Sequence, residues 1–223
     1  GQIGDGSTTD SLVPIQVGTD TDWLDIEAGW SHNLALKNDH SLWAWGDNGY
    51  RQLGIGGTTD SLVPVPVGTK YDWFTVSASY LHSLATKTDG TMWAWGTNTN
   101  SVLGDGTTLP HSTPFQVGTD DDWSGVMSAG YYFNIAQKTD GTLWAWGDNA
   151  NGEFGDGTTD PSAVPIQVIS DTEWTALSTG RNHSTGIKND STLWAWGRNG
   201  LGQLGDGTNE HRLSPVQILA PIP

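Results

Sequence analysis

Tryptophan pairs separated by one alanine stand at Trp43/Trp45, Trp93/Trp95, Trp144/Trp146 and Trp194/Trp196, and successive pairs are 50, 51 and 50 residues apart. Such a recurrence means one supersecondary unit copied four times. Each copy cannot bury its own apolar faces and must stack on its neighbours, as in a solenoid or the blades of a propeller. In an extended strand Trp43 and Trp45 point to one side and Ala44 to the other, so a ridge of indoles can lie against a floor of small residues in the adjoining unit. An indole removes on the order of 200 Å² from water, roughly 5 kcal/mol as an upper value. All eight residues are therefore assigned to the core between units, the alternative being an exposed platform on which sugars stack.

Four short strands fit each period. The first begins at Trp23, Trp73, Trp123 and Trp174; the second reads "HNLALK", "HSLATK", "FNIAQK" and "HSTGIK" from His32, His82, Phe133 and His183. Asn-Asp or Thr-Asp turn signals follow, then the Trp-Ala-Trp strand. A fourth, Pro-led strand is expected at Pro64, Pro114, Pro165 and Pro215, with an extra copy at Pro14–Val17. Proline suits an outer edge, where a missing N–H is harmless. The reading is all-β: a β-propeller of four-stranded blades, four present, plus one extra outer strand. It is taken as a single domain over 1–223, with repeats at 18–67, 68–117, 118–168 and 169–219 and with residues 1–17 as the loop and outer strand of an incomplete blade.

Thirty glycines and ten prolines agree with many tight turns, and 35% hydrophobic residues suffice for a buried core. Nine basic against 25 acidic residues give a net charge of −16, which repels nucleic acid and anionic lipid. With no cysteine there are no disulfides, thiolate chemistry or Cys-based zinc sites. No apolar run reaches the ~20 residues of a spanning helix, and the opening residues lack a signal-peptide pattern. The absence of an initiator Met suggests a processed piece.

The segments "AGWSHNLALKND", "SLWAWGDNG" and "RQLGIG", in this order at a fifty-residue period, resemble the regulator of chromosome condensation (RCC1) repeat across essentially the whole chain. The resemblance implies a seven-bladed propeller of roughly 350 residues. It therefore leads to an expectation of either a longer parent chain or self-association that covers the apolar blade ends. The wider group includes a propeller-type β-lactamase inhibitory protein, which similarly presents aromatics at the positions matching Trp30, Tyr80, Tyr131 and Tyr132. The founding member's nucleotide exchange and chromatin binding are not carried over, because the uniform repeats leave no room for an inserted wedge and the charge is unfavourable.

Positions that vary among the internal copies are free to serve a partner. They are Trp30, Tyr80, Tyr131 with Tyr132, and Arg181 with Asn182, just after the first strand, and Tyr50 with Arg51 in the loop between third and fourth strands. Both connections belong at one end of a meander, and aromatics and arginine are typical of binding hot spots. Local packing on the rim is the alternative. His32, His82 and His183 share one position, but Phe133 fills it in the other copy, so a packed imidazole is expected and no proton-transfer role. Asp5, Asp105, Asp156 and Asp206 of the "GDG" loops lack an EF-hand spacing, and Ile55 replaces one of them. Asp120, Asp121 and Asp122 read as a solvated loop. No catalytic motif is present, so no enzyme activity, cofactor or metal is expected.

The functional expectation is a non-catalytic protein-binding scaffold within a larger secreted or surface protein. Ring or filament self-assembly is the alternative, with carbohydrate binding a lesser one. Neither nucleic acid nor membrane insertion is expected.

Overall fold

The computed structural model describes residues 1–170 and 174–219. These hold four four-stranded antiparallel sheets. The first is β1 (Trp23–Ala28), β2 (His32–Lys37), β3 (Leu42–Gly46) and β4 (Ser61–Pro66), and the second is β5 (Trp73–Ala78), β6 (His82–Lys87), β7 (Met92–Gly96) and β8 (His111–Gln116). The third is β9 (Trp123–Ala129), β10 (Phe133–Lys138), β11 (Leu143–Gly147) and β12 (Ser162–Ile169), and the fourth is β13 (Trp174–Thr179), β14 (His183–Lys188), β15 (Leu193–Gly197) and β16 (Arg212–Gln217). Each sheet is a meander in chain order with its fourth strand at an edge. The chain packs as two compact units: 1–99 with 108–121, and 100–107 with 122 onward.

The outer strands start three residues before the prolines expected to lead them, at Ser61, His111, Ser162 and Arg212. Being on an edge, they hold Pro64, Pro114, Pro165 and Pro215 without losing a ladder bond on both sides. Pro14–Val17 forms no strand. Its local pattern matches the other copies, but a strand exists only against a neighbour, and residues 1–17 have no third strand of their own to pair with.

Within the first unit, Leu34, Leu36, Leu42 and Ala44 of one sheet pack on Trp73, Val76, Ala85 and Trp95 of the next. The second unit repeats the joint, with Phe133, Ile135, Leu143 and Ala145 against Trp174 and Trp196. The floor that meets the indoles is thus largely branched aliphatic and aromatic, not small as the alternation implied. The small residues stand beside the indoles instead. Ala35 is directly opposite Trp43, and Ala85 directly opposite Trp93, so each ring has room to lie across the adjacent strand of its own sheet.

A loop from the preceding repeat closes each joint. The backbone carbonyls of Gln2, Gln52, Val102 and Glu153 accept from the Nε1 of Trp45, Trp95, Trp146 and Trp196 at 2.8–2.9 Å. Each carbonyl also accepts from the second strand of the same sheet, through Asn33, Ser83, Asn134 and Ser184. The glycine two residues later lies flat on the ring: a Cβ on Gly155, whose φ is +79°, would stand 2.8 Å from the Trp196 indole. Gly155→Ala should therefore cost about 2–4 kcal/mol, combining a left-handed backbone with an overpacked ring. Urea unfolding followed by tryptophan fluorescence would measure it, and a cost under about 1 kcal/mol would mean the loop does not seat on the indole as described.

At the rim the first indole of each pair is half-buried and meets a lysine. Lys37 Nζ sits 4.9 and 4.8 Å from the Trp23 and Trp43 ring centres, Lys87 Nζ 4.9 and 4.1 Å from Trp73 and Trp93. Lys138 and Lys188 repeat this between Trp123 and Trp144 and between Trp174 and Trp194. Asp20, Asp72 and Asp122 complete three of the clamps at 2.6, 3.3 and 3.0 Å. Asp122 is therefore tied into a cation–π clamp and does not simply face solvent.

Candidate functional site

The connection between first and second strands is a two-residue turn in every sheet. Backbone bonds Gly29 N–His32 O, Ser79 N–His82 O, Gly130 N–Phe133 O and Gly180 N–His183 O close it at 2.8–3.1 Å. The turn's tip residues are then 30–31, 80–81, 131–132 and 181–182, of which Trp30 and Arg181 are exposed and the rest partly buried. The start of the third-to-fourth loop is bonded to the same turn. Asp47 N donates to Ser31 O and Thr97 N to Leu81 O, while Asp148 N donates to Tyr132 O and Arg198 N to Asn182 O, at 2.8–3.0 Å. This contact requires glycine at the end of each Trp-Ala-Trp strand. Gly46 has φ +107°, and a Cβ there would lie 2.5 Å from Ser31 O.

Two aromatic clusters result, one in each compact unit. In the first, Trp30 is 73% exposed, its ring edge-on to Tyr80 with centres 5.4 Å apart, and Trp30 N donates to Ser79 O at 3.0 Å. In the second, Tyr131 and Tyr132 meet edge-on at 4.4 Å, and the Arg181 guanidinium lies 4.7 Å over the Tyr131 ring. Asn182 Nδ2 donates to Glu153 Oε1 at 3.1 Å.

Tyr50 and Arg51 sit on the third-to-fourth loop of the first sheet, and among the described residues no ring contact joins them to Trp30. The loop is nonetheless fixed. Gln52 Nε2 donates to Asp47 Oδ2 at 2.7 Å and Tyr50 N donates to Gln52 Oε1 at 2.8 Å. Asn48 crosses its base, taking Leu53 N on Oδ1 and donating to Thr59 O. Arg51 is held at φ +69°, where the third and fourth repeats have Gly152 and Gly202 at +80° and +74°. Holding a residue with a Cβ in that region costs on the order of 1 kcal/mol.

The histidines and loop aspartates have structural roles in this geometry. His32 is buried with Nε2 2.9 Å from Ser83 Oγ, and burial, reinforced by nearby His82, pushes its pKa down to about 3. Asp5 and Asp156 each bind the backbone N–H and the hydroxyl of the Ser or Thr two residues on, closing their own turns. Asp206 does the same with Thr208 and also pairs with Arg212 Nε at 2.6 Å.

Sequence reasoning missed Glu153. It is fully buried, and its carboxylate accepts from Asn151 N at 2.8 Å, Asn151 Nδ2 at 2.7 Å and Asn182 Nδ2 at 3.1 Å. It thereby locks the third-to-fourth loop of the third sheet to the Arg181–Asn182 turn. The internal copies do carry the signal, since Gln2, Gln52, Val102 and Gln203 occupy the equivalent place and only this copy has an acid.

Repeated four-stranded sheets, interlocked by indole-capping loops and each bearing variable turns at one end, define a propeller-repeat protein. The profile described as the regulator of chromosome condensation (RCC1) repeat matches residues 39–86, 89–137, 140–187 and 190–222, and a second profile of the same repeat matches 23–52, 75–101 and 174–203. The chain belongs to the RCC1 repeat family. No curated protein sequence matches it. Human WBSCR16 has a similar structure, with TM-score 0.81 and 21% identity over 92% of this chain and 55% of that one. Prp20p from Saccharomyces cerevisiae has TM-score 0.76 and 21% identity over 89% of this chain and 50% of that one. A chain in the crystal structure of Kap60 bound to yeast RCC1 (Prp20) has TM-score 0.74 and 21% identity, over 90% and 50%. This chain thus spans about half the length of the structures it matches.

Proposed function

We propose that this chain is a non-catalytic protein-binding module, and that its partner is engaged by the turn residues Trp30, Tyr80, Tyr131, Tyr132, Arg181 and Asn182, with Tyr50 and Arg51 on the adjoining loop. The observation that carries the reading is Trp30, a large indole left 73% exposed on a turn closed by the Gly29 N–His32 O bond and tied to the next sheet by the Trp30 N–Ser79 O bond. A side chain of that size on a rigid turn offers contact area with little further entropy to lose. The strained backbone of Arg51 supports the same reading, since a glycine would relieve it at no cost to the fold. Among proteins of similar fold, yeast RCC1 is bound by Kap60, and Prp20p has been studied for binding to Gsp1p and histones. Those particular partners are not carried to this chain.

Once a partner has been captured, calorimetry should find that Trp30→Ala, Tyr80→Ala and Tyr131→Ala together weaken its binding by about a hundredfold or more. The circular dichroism spectrum should stay that of the parent. Unchanged affinity in the folded triple variant would reject the assignment.

A further inference from the structure

The joint within each unit brings together two dissimilar faces. Among the described residues, part of one such face is exposed on the first sheet and part of the other on the fourth, although Ala35, Trp45 and Ala195 at their centres are buried. The indole face seen in Trp73, Val76, Ala85 and Trp95 corresponds by repeat spacing to Trp23, Ile26, Ala35 and Trp45 of the first sheet. Ile26 is 61% exposed, whereas Val76 is 6% exposed. The face opens on a cavity of about 390 Å³ lined by Val17, Trp23, Leu24, Ile26, Ala35 and Trp45. The aliphatic face seen in Leu36, Leu42 and Ala44 corresponds to Ile187, Leu193 and Ala195 of the fourth sheet. Leu193 is 43% exposed, against 1% for Leu42.

The loop that would close a further joint is also present and unused. In the first sheet, Gly1–Gly6 occupies the seat over Trp45. Gln2 O accepts from Trp45 Nε1 at 2.9 Å, and Gly4 lies on the ring. The fourth sheet's loop, Gly202–Gly207, reads Gly-Gln-Leu-Gly-Asp-Gly against Gly-Gln-Ile-Gly-Asp-Gly for Gly1–Gly6. Gly205 has the required φ of +74°, but the nearest atom to a Cβ placed there is an Ile218 methyl at 3.8 Å, where Gly4, Gly54 and Gly155 each meet an indole at 2.7–2.8 Å.

We propose that the aliphatic face of the fourth sheet docks on the indole face of the first sheet in a second copy of this chain, and that Gly202–Gly207 of one copy displaces Gly1–Gly6 of the other from Trp45. The joint repeats, between chains, the contact that joins β1–β4 to β5–β8 and β9–β12 to β13–β16 within one. Because the two faces differ, the contact is head to tail, and association continues until a ring closes or a filament grows. The segment 1–6 acts as an internal competitor that holds the joint weak. With a charge of −16 on each copy, added salt strengthens the contact by screening repulsion.

Sedimentation velocity on the 223-residue chain, over a concentration series at low and high salt, tests this. Mass should rise with both, and removing residues 1–6, which takes away no strand, should strengthen association about tenfold or more. Gly205→Asn, since asparagine tolerates positive φ, should leave the single copy folded but fill the place of the Trp45 ring, weakening association at least about thirtyfold in both backgrounds. Ile187→Asp with Leu193→Asp should do the same through the sheet face. A chain that stays monomeric under every condition, including without residues 1–6, would overturn the proposal. So would association indifferent to Gly205→Asn and to the paired aspartates.

Discussion

Replacing Trp95 by alanine should lower the stability of the unit that holds β1 to β8 by about 3–5 kcal/mol, the range for emptying a buried indole site. The ring is fully buried among Leu34, Leu36, Leu42 and Ala44 of the adjoining sheet, and it lies tilted at 59° to Trp73 with centres 6.1 Å apart. Its Nε1 donates to Gln52 O at 2.9 Å. Alanine would leave a cavity where two sheets meet, which neither backbone can close without breaking its own ladder. Trp95→Phe separates the contributions, because it keeps most of the buried area and removes the donor. Gln52 O would retain Ser83 Oγ at 2.8 Å, so the cost should fall to about 1–2 kcal/mol. Urea denaturation followed by circular dichroism measures both variants. An unmoved midpoint for Trp95→Ala would return the tryptophan pairs to the role of an exposed stacking platform.

The period and the strands of each sheet were legible because a strand's two-residue alternation and a fifty-residue copy number are both properties of side-chain order. Trp43, Ala44 and Trp45 show on paper which face each takes. What closes the joints was not legible, since the acceptors are the backbone carbonyls of Gln52, Val102 and Glu153, and a carbonyl looks the same at every position. Lys37, Lys87, Lys138 and Lys188 end the second strands, and only the pairing of that strand with both the first and the third reveals that each ammonium lies between two indoles. The opposite error occurred at Pro14–Val17, where a correct local pattern lacked the neighbouring strand that would make it β.

The candidate turn residues stand out in the sequence as variable positions, because comparison among internal copies separates Trp30, Tyr80, Tyr131 and Arg181 from the repeated frame. Their division into two clusters does not. Trp30 meets Tyr80 and Arg181 meets Tyr131 because first strands of stacked sheets bring their turns together, as the 3.0 Å bond from Trp30 N to Ser79 O shows. Tyr50 and Arg51 are instead positioned by Asp47, Gln52 and Asn48 within their own loop. Glu153 is the odd acid among the copies, but its role depends on Asn151 and Asn182 converging on it in space.

Acid should destabilise the chain well above the range in which carboxylates titrate, and His32→Phe should remove much of that sensitivity. Burial holds the His32 imidazole neutral in the folded state, with a pKa pushed down to about 3, while the unfolded chain protonates near the ordinary value of about 6.5. The stability associated with neutral His32 is therefore complete above pH 6.5 and is lost as pH falls toward 3, because the unfolded state binds a proton that the folded state does not. Between pH 6.5 and 4.5 this one group amounts to about 2–3 kcal/mol. The third repeat supplies the replacement. Phe133 occupies the same position, beneath Gly130 as His32 lies beneath Gly29. The bond from His32 Nε2 to Ser83 Oγ would be lost, but Ser83 Oγ still donates to Gln52 O, so at pH 7.5 the variant should lie within about 1 kcal/mol of the parent. Urea midpoints at pH 7.5 and 4.5 should then fall less in His32→Phe than in the parent, by about one proton's worth of slope, or about 1.4 kcal/mol per pH unit. The lowered pKa of half-buried His183 remains in both proteins and cannot produce that difference. Parallel acid limbs in parent and variant would show that His32 is protonated in the folded chain, and with it that the seam between the first and second sheets is open to water.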